Sequence, residues 1–290
     1  MWILLALASA FFAGIMSILV KIGIKNVNSN LATALRTVVV VVFAWIMVFV
    51  VGSHTTIMDV DSKSIIFLVL SGFATGGAWL CYFKALKTGD VNKVVPIDKS
   101  SIILTMMLSM LILGEDFTII KACAMVLIGV GTYFMIERKQ ITQGDGSETK
   151  SRKWIFYAVL AAVFASLTAI LGKAGIEGVE SNLGTAIRTI VVLCMAWLIV
   201  LIQGKQKEIK NIDRKSWIFL GLSGLATGLS WLCFYSALQQ GPVSVVLPID
   251  KLSILVTIAF SYFVLKEKLK KLPLIGLIMI VTGTLSLLIN

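Results

Sequence analysis

The sequence predicts an all-α integral membrane protein with ten transmembrane helices, arranged as two inverted five-helix repeats. Three observations predict this fold class: the composition, an internal repeat, and the number of apolar stretches in each copy of that repeat. Of the 290 residues, 58% are hydrophobic and only 14% are charged, which lies outside the range of soluble globular domains. We therefore expect a multi-pass protein of the cell (plasma) membrane, surrounded by the lipid bilayer.

The internal repeat has a constant offset of 152 residues and needs no gaps. It runs from Trp2, which aligns with Trp154, to Gly131, which aligns with Gly283. About half of the compared positions are identical, and a period of this length indicates a duplicated structural unit. The repeat predicts three parts, which are a first five-helix repeat at residues 1–137, a polar cytoplasmic connector at 138–153 and a second repeat at 154–290.

Each copy contains five apolar stretches, and each stretch is close to the ~20 residues that a helix needs to cross a bilayer. In the first copy they lie at about 2–20, 31–51, 64–83, 91–113 and 119–136. Because five is an odd number, two copies joined by a short connector must enter the membrane in opposite directions. The count therefore predicts ten helices and an inverted repeat.

The basic residues of the loops indicate the orientation. They cluster in the first and third loops of the first repeat, in the connector, and in the second and fourth loops of the second repeat. One side of the membrane thus collects 19 basic residues, whereas the other side has Lys63, Lys121 and Lys173. The positive-inside rule then places the connector in the cytoplasm and both termini outside.

Several kinds of chemistry find no support in the sequence. The four cysteines lie inside apolar stretches without CxxC spacing, so neither a disulfide framework nor a zinc site is indicated. There is no glycine-rich nucleotide loop, no HExxH and no GxSxG, which argues against an ATP-driven pump and against a hydrolase. We expect no enzymatic activity, no cofactor and no metal site. The net charge of +11 lies mostly in short loops, so we expect no nucleic-acid partner.

The most informative motif is Pro-Ile-Asp-Lys, which occurs at 96–99 and again at 248–251. Each copy lies within an apolar run, where a carboxylate is costly unless it has a partner. The proline removes a backbone donor and loosens the helix next to the charge. Neighbouring Asp98 and Lys99 point in different directions on a helix, so we do not expect them to be each other's main partner.

The predicted partners of the two aspartates are arginines on the second helix of each repeat. The loops before the second and fourth helices lie on the same side of the membrane, and both side chains enter it by one to two turns. We therefore expect Arg36 to pair with Asp98 and Arg188 to pair with Asp250.

A stripe of polar residues follows each aspartate at a spacing of three or four, so its members share one helix face. The two stripes are Asp98, Ser101, Thr105 and Ser109, and Asp250, Ser253, Thr257 and Ser261. Such a stripe should face a cavity or another helix, not lipid. Two Gly-xxx-Gly motifs, which begin at Gly72 and Gly224, predict close helix packing.

The candidate substrate-binding or coupling residues follow from these patterns, and two tryptophans matched by the repeat join them. The tryptophans either close a substrate cavity by stacking or cation–π contact, or pack between helices. The full set is Asp98, Asp250, Arg36, Arg188, Lys99, Lys251, Ser101, Ser253, Thr105, Thr257, Trp79 and Trp231.

These features resemble the EamA-type, ten-helix members of the drug/metabolite transporter superfamily. The resemblance rests on the two five-helix halves, on a Pro at the start of each fourth helix, on Glu115 and Glu267 nineteen residues later, and on glycines in each final helix. It implies secondary transport. Family members are usually drawn with both termini in the cytoplasm, whereas the loop charges here predict the reverse. The closeness of the halves also resembles an antiparallel pair of single five-helix proteins fused into one chain.

The resemblance and the residues together predict a permease or exporter that moves a small polar metabolite by alternating access between the two repeats. The shared intramembrane positions hold more basic than acidic residues, which favours an amino acid or an organic anion. The two aspartates are the candidates for possible proton coupling, and the protein is expected to be a monomer or homodimer. The alternatives are a multidrug or quaternary-amine exporter, a flippase for a lipid-linked substrate, and a non-transport membrane scaffold.

Overall fold

The computed structural model describes residues 1–23, 27–88, 91–135, 153–263 and 271–289, and the regular secondary structure in these ranges is helical. The first half contains α1 (Trp2–Gly23), α2 (Ser29–Val51), α3 (Ser62–Thr88), α4 (Val91–Lys99), α5 (Ser101–Ile112) and α6 (Ile119–Met135). The second half contains α7 (Lys153–Ile176), α8 (Ser181–Ile202), α9 (Arg214–Gln240), α10 (Val243–Lys251), α11 (Ser253–Phe263) and α12 (Lys271–Ser286). Short 3-10 helices follow α2 and α8, at Ser53–Asp59 and Lys205–Asn211.

The predicted apolar stretches are helical, and their bounds agree with the prediction to within a few residues. Within the described ranges, seven stretches are long and apolar enough to cross a membrane; α10 together with most of α11 forms one of them, and α6 and α12 are shorter apolar helices. The described part of the chain is therefore all-helical, and the protein is a multi-pass membrane protein. Residues 138–152 of the predicted connector and Glu267 lie outside the described residues, and Lys153 is the first residue of α7.

The fourth helix of each half is divided next to the Pro-Ile-Asp-Lys motif. Its two parts meet at Ser100 in the first half and at Leu252 in the second. At both positions the backbone tightens, because the Ser100 amide donates to Ile97 O (3.2 Å) and the Leu252 amide donates to Ile249 O (2.9 Å), three residues back. The helix is therefore interrupted beside the charged residues, but by a tighter turn after the lysine and not by the predicted loosening at the proline.

Helices of one half pack mainly on helices of the other half. The most extensive contacts join α3 to α7, α1 to α9, α6 to α12 and α2 to α8. Each of these pairs takes one helix from each repeat, and the first two are equivalent under the repeat. The core is therefore shared between the halves, and the surroundings of a residue are set largely by helices of the opposite half.

The Gly-xxx-Gly motifs form close helix contacts, as predicted. A Cβ atom on Gly72 of α3 would lie 2.6 Å from Val191 Cβ on α8, and one on Gly224 of α9 would lie 2.7 Å from Val39 Cβ on α2. Such distances are too short for any side chain at the glycine. The glycines therefore let α3 and α9 approach the second helix of the opposite half.

Side chains outside the apolar stretches cap several helices. Asp213 precedes α9, and its carboxylate accepts hydrogen bonds from Ser216 Oγ (2.6 Å) and from the Ser216 amide (3.1 Å). These two bonds favour the ionised form and hold the pKa of Asp213 below its usual range. The cap therefore depends on a carboxylate that stays charged at physiological pH.

Candidate functional site

A cavity of about 520 Å³ lies between the two halves, where the divided helices meet α1, α6 and α12. Its polar lining consists of Ser17, Lys99, Thr132, Lys251, Ser253, Thr257 and Thr284. Its apolar walls consist of Val95, Ile102, Ile128, Met135, Pro248, Ile254 and Ile280. A mostly apolar wall with a few convergent polar groups is typical of small-molecule sites.

The lining of this cavity repeats the symmetry of the sequence. Lys99 and Lys251 are equivalent under the 152-residue offset, and so are Thr132 and Thr284. The lysine side chains are 52% and 45% exposed, so their ammonium groups reach the open space. No carboxylate is among the described residues that line the cavity. The cavity therefore presents two cations and several hydroxyl groups to a ligand.

The two aspartates of the motifs lie beside the lysines. Lys99 Nζ is 3.8 Å from Asp98 Oδ2, and Lys251 Nζ is 3.6 Å from Asp250 Oδ2. The prediction that these neighbours would not pair is wrong. Each helix ends at the lysine, and a lysine stem with four rotatable bonds is long enough to bring its ammonium group back to the adjacent carboxylate.

Arg188 does not pair with Asp250, which corrects the second predicted pair. Its side chain is only 2% exposed, and it donates from Nε to Ser71 Oγ (2.9 Å) and from Nη2 to Thr75 Oγ1 (2.6 Å). Both hydroxyls belong to α3 of the opposite half. The prediction failed because it placed the partner on a helix of the same repeat, whereas α8 packs on α2 and α3.

Arg36 does not pair with Asp98, for the same reason. Its Nη2 donates to Thr227 Oγ1 at 3.0 Å on α9, again across the halves. Among the described residues, neither arginine has a carboxylate within 4 Å. The two arginines therefore join the halves through hydroxyl groups and do not line the cavity.

Trp231 and Trp79 also lie away from the cavity lining. The Trp231 ring is 5.3 Å from Arg188 Cζ, and the Tyr235 ring on the next turn of α9 is 4.8 Å from the same atom. Trp79 packs against a small apolar cluster that contains Leu31. Of the two roles expected for these tryptophans, the structure therefore shows packing between helices. Trp231 makes its cation–π contact with Arg188 of the protein itself.

The two polar stripes have different surroundings. In the second half, Ser253 and Thr257 line the cavity. In the first half, Thr105 is buried and donates to Ser101 O (2.8 Å), and the same carbonyl accepts from Ser166 Oγ of α7 (3.0 Å). One stripe therefore faces the cavity and the other faces a helix.

Sequence reasoning missed Ser17, Thr132 and Thr284 of the lining. The two threonines are matched by the repeat and lie in the predicted fifth helices, so their equivalence was a usable signal. Ser17 has no hydroxyl twin, because Ala169 stands at the equivalent position, and nothing in the sequence distinguishes it.

Asp250 has a hydroxyl partner for which Asp98 has no counterpart among the described residues. Ser9 Oγ on α1 donates to Asp250 Oδ1 at 2.6 Å, and Ser230 Oγ on α9 lies 3.2 Å from Ser9 Oγ. Around the first-half motif the equivalent positions hold Ala161 on α7 and Ala78 on α3. Two identical sequence motifs therefore have unequal surroundings.

Comparison with known proteins supports this architecture. The EamA-like transporter family matches the chain twice, at residues 1–137 and 152–289. An "Uncharacterized transporter in cobO 3'region" from Sinorhizobium sp. is 42% identical over 137 residues, which are 47% of this chain and 97% of the relative. An "Uncharacterized transporter" from Archaeoglobus fulgidus is 23% identical over 290 residues, covering 99% of this chain and 98% of the relative.

A solved crystal structure shares the fold, with a TM-score of 0.77 at 15% sequence identity, over 99% of this chain and 96% of the other. At that identity the likeness concerns the fold alone. The two family matches, however, cover nearly every residue. The chain therefore belongs to the EamA-like transporter family, within the drug/metabolite transporter superfamily.

Proposed function

We propose that this protein is a secondary-active transporter that moves a small organic anion or amino acid by alternating access between its two halves. The observation that carries the proposal is the cavity between the halves, into which Lys99 and Lys251 project. Its volume of about 520 Å³ falls within the ~300–1,000 Å³ that is usual for small-molecule sites.

Charge decides between the classes of substrate. Two ammonium groups within mostly apolar walls attract an anion more strongly than they would in water, because the local dielectric constant is low. They repel a quaternary amine by the same argument. Asp98 and Asp250 lie within 4 Å of the lysine ammonium groups and offset part of their positive charge. A zwitterion whose carboxylate faces the lysines therefore also fits the cavity.

The membrane arrangement proposed is ten crossings in two inverted halves. Each divided fourth helix serves as one crossing, and the short helices α6 and α12 complete their halves. A relative that aligns over 97% of its own length with 47% of this chain supports a five-helix unit that exists by itself. The loop charges favour a cytoplasmic connector, and labelling of a tag in the connector from outside intact cells would overturn that orientation.

The test is transport by purified protein in liposomes. Counterflow is measured for amino acids, organic anions and quaternary amines, and we expect exchange of anions or amino acids. Lys251→Met and Lys99→Met remove one ammonium group each and retain the apolar stem, so each should lower transport at least tenfold, the equivalent of ~1.4 kcal/mol. Lys63→Met is the matched control, because Lys63 is exposed at the start of α3. Exchange of amines alone, or full activity without both ammonium groups, would contradict the proposal.

A further inference from the structure

We infer that Glu115 is a gating residue, which closes the end of the transport path opposite the connector by holding the N-terminus of α10. The inference rests on the alternating-access function proposed above and adds a specific closing contact to it. Glu115 belongs to the first half, whereas α10 carries the second-half motif with Asp250 and Lys251. The contact therefore joins the two parts that must separate for this end to open.

The carboxylate of Glu115 binds the first amides of α10. Oε1 accepts from the Val243 amide, and Oε2 accepts from the Ser244 amide at 3.1 Å. These amides have no partners within the helix, and the positive end of the helix dipole favours an anion there. Pro242 occupies the N-cap position and supplies no side-chain acceptor. A residue of the opposite half thus provides the cap that the helix lacks.

Glu115 is held in place for this role. Gly114 has a φ of +69°, a left-handed conformation that turns the chain after α5. Ser109 Oγ donates to Glu115 Oε2 at 3.2 Å, and Lys121 Nζ lies 3.9 Å from the same oxygen. The Glu115 side chain is 12% exposed. The carboxylate is therefore partly buried and compensated by groups of its own half before it reaches α10.

A second contact holds the other side of the same turn. Lys173 Nζ on α7 donates to the carbonyl oxygens of Leu238, Gln239 (3.2 Å) and Gly241 (3.3 Å), where α9 ends. A cation is favoured at a helix C-terminus, as an anion is at an N-terminus. The turn between α9 and α10 is thus held by an ammonium group on one side and by Glu115 on the other.

The geometry relates this closed end to the cavity. The turn lies where α5, α7 and α9 end and α10 begins, whereas the cavity reaches Met135, the last residue of α6 before the connector. The turn between α9 and α10 with Glu115 and Lys173, which we call the clamp, and the cavity therefore lie toward opposite ends of the protein. Because α10 runs from the clamp to Lys251, release of its N-terminus would let the helix that carries a cavity cation move.

Cysteine labelling tests this directly, in a background where the four native cysteines are replaced by alanine. Ser244→Cys reports on the clamped end, because Ser244 is fully buried, and Thr257→Cys reports on the cavity. A membrane-impermeant maleimide is added from each side of the membrane in turn. Glu115→Gln removes the charge and one acceptor, and it is paired with Asp116→Asn, which removes the charge of an exposed neighbour.

With Glu115→Gln we expect the reporter in α10 to label from the side opposite the connector at least ~10-fold faster, since one amide loses its acceptor and the bond to the other amide is no longer charge-assisted. The cavity reporter should label more slowly from the connector side. Asp116→Asn should change neither rate. Glu115→Asp should restore part of the protection, because it keeps the charge on a shorter stem.

An unchanged labelling rate of the α10 reporter would overturn the inference. An equal rise in the labelling rates of both reporters would also overturn it, because it indicates general loosening of the protein. Lys173→Met removes the ammonium group that holds the end of α9, and its effect is measured by the same two labelling rates. The inference can therefore be tested even if the Glu115 variant folds poorly. Labelling uses no substrate. If the α10 reporter stays protected in a Glu115→Gln protein that still transports substrate, only the gating inference is refuted. If no tested substrate is exchanged in liposomes, only the proposed function is refuted.

Discussion

Replacing Arg188 by methionine should change the free energy of unfolding only slightly, although this side chain is among the most buried in the protein. Arg188 is 2% exposed, and its guanidinium donates to the hydroxyls of Ser71 and Thr75. Since no carboxylate of the described residues lies within ion-pair distance, the substitution leaves no unpaired charge behind. A methionine is long enough to fill much of the space of the arginine stem.

The magnitude follows from opposing terms. Two hydrogen bonds to a charged group contribute ~1.5–3 kcal/mol each, and the contacts with two aromatic rings add ~0.5–2 kcal/mol each. Against them stands the cost of burying a guanidinium, several kcal/mol, made larger because Nη1 has no partner. The hydroxyls of Ser71 and Thr75 keep their bonds to Thr168 O (2.7 Å) and Ser71 O (3.0 Å). We therefore expect a net change below ~2 kcal/mol.

Double-mutant cycles measured by equilibrium unfolding in detergent micelles separate this account from a salt bridge. Arg188→Met combined with Thr75→Val should show a coupling of ~1–2 kcal/mol, and combined with Asp250→Asn a coupling below ~0.5 kcal/mol. An arginine that compensated Asp250 would instead cost ~3–5 kcal/mol when removed. The reasoning is refuted if the aspartate cycle gives the larger coupling.

Two further predictions concern packing and capping. Gly276→Ala should destabilise the protein by ~1–3 kcal/mol, because the new Cβ would lie 2.5 Å from a backbone oxygen of α6. The control is Gly221→Ala, whose Cβ would have nothing within 4 Å and which should be neutral or stabilise the protein by up to ~1 kcal/mol. Equal shifts of the melting temperature in the two variants would contradict this prediction. The pKa of Asp213 is lower in the folded protein than in the unfolded chain. The cap therefore stabilises the protein fully above the unfolded pKa of ~3.9, and this stabilisation is lost as the pH falls through the pKa of the folded state. The difference in melting temperature between the native protein and Asp213→Asn should therefore be constant from pH 5 to 8 and shrink in acid, and a difference that persists unchanged in acid would contradict the assignment.

The helices could be predicted from the sequence because their length is set by the bilayer. A crossing needs ~20 apolar residues, and the repeat supplied every boundary twice, so α1 to α3 begin and end within a few residues of the predicted stretches. The division of the fourth helix was foreseeable as well, since proline and a buried charge occur together in both copies. Local chemistry and chain length were sufficient for these features.

The partners of the charged residues could not be predicted in the same way. Spacing along the chain shows which side chains share a face, but not which helix that face meets. Arg36 and Arg188 were assigned to aspartates of their own repeat, whereas the structure gives them hydroxyl partners on the opposite half. The glycines at 72 and 224 predicted close packing correctly, yet nothing in the sequence identified Val191 and Val39 as the residues they contact.

The shared core explains how a nearly symmetric sequence produces unequal sites. The second-half motif packs on α1, α5 and α9, and the first-half motif packs on α7 and α3. Ser9 on α1 therefore determines the surroundings of Asp250, and Ala161 on α7 takes its place near the other motif. Because the hydroxyl comes from the opposite half, it ties the halves together at Asp250, and no described residue does the same at Asp98. In the alternating-access cycle proposed above, this bond contributes to a difference in free energy between the two end states, so residues outside the motif itself take part in the choice of the resting conformation.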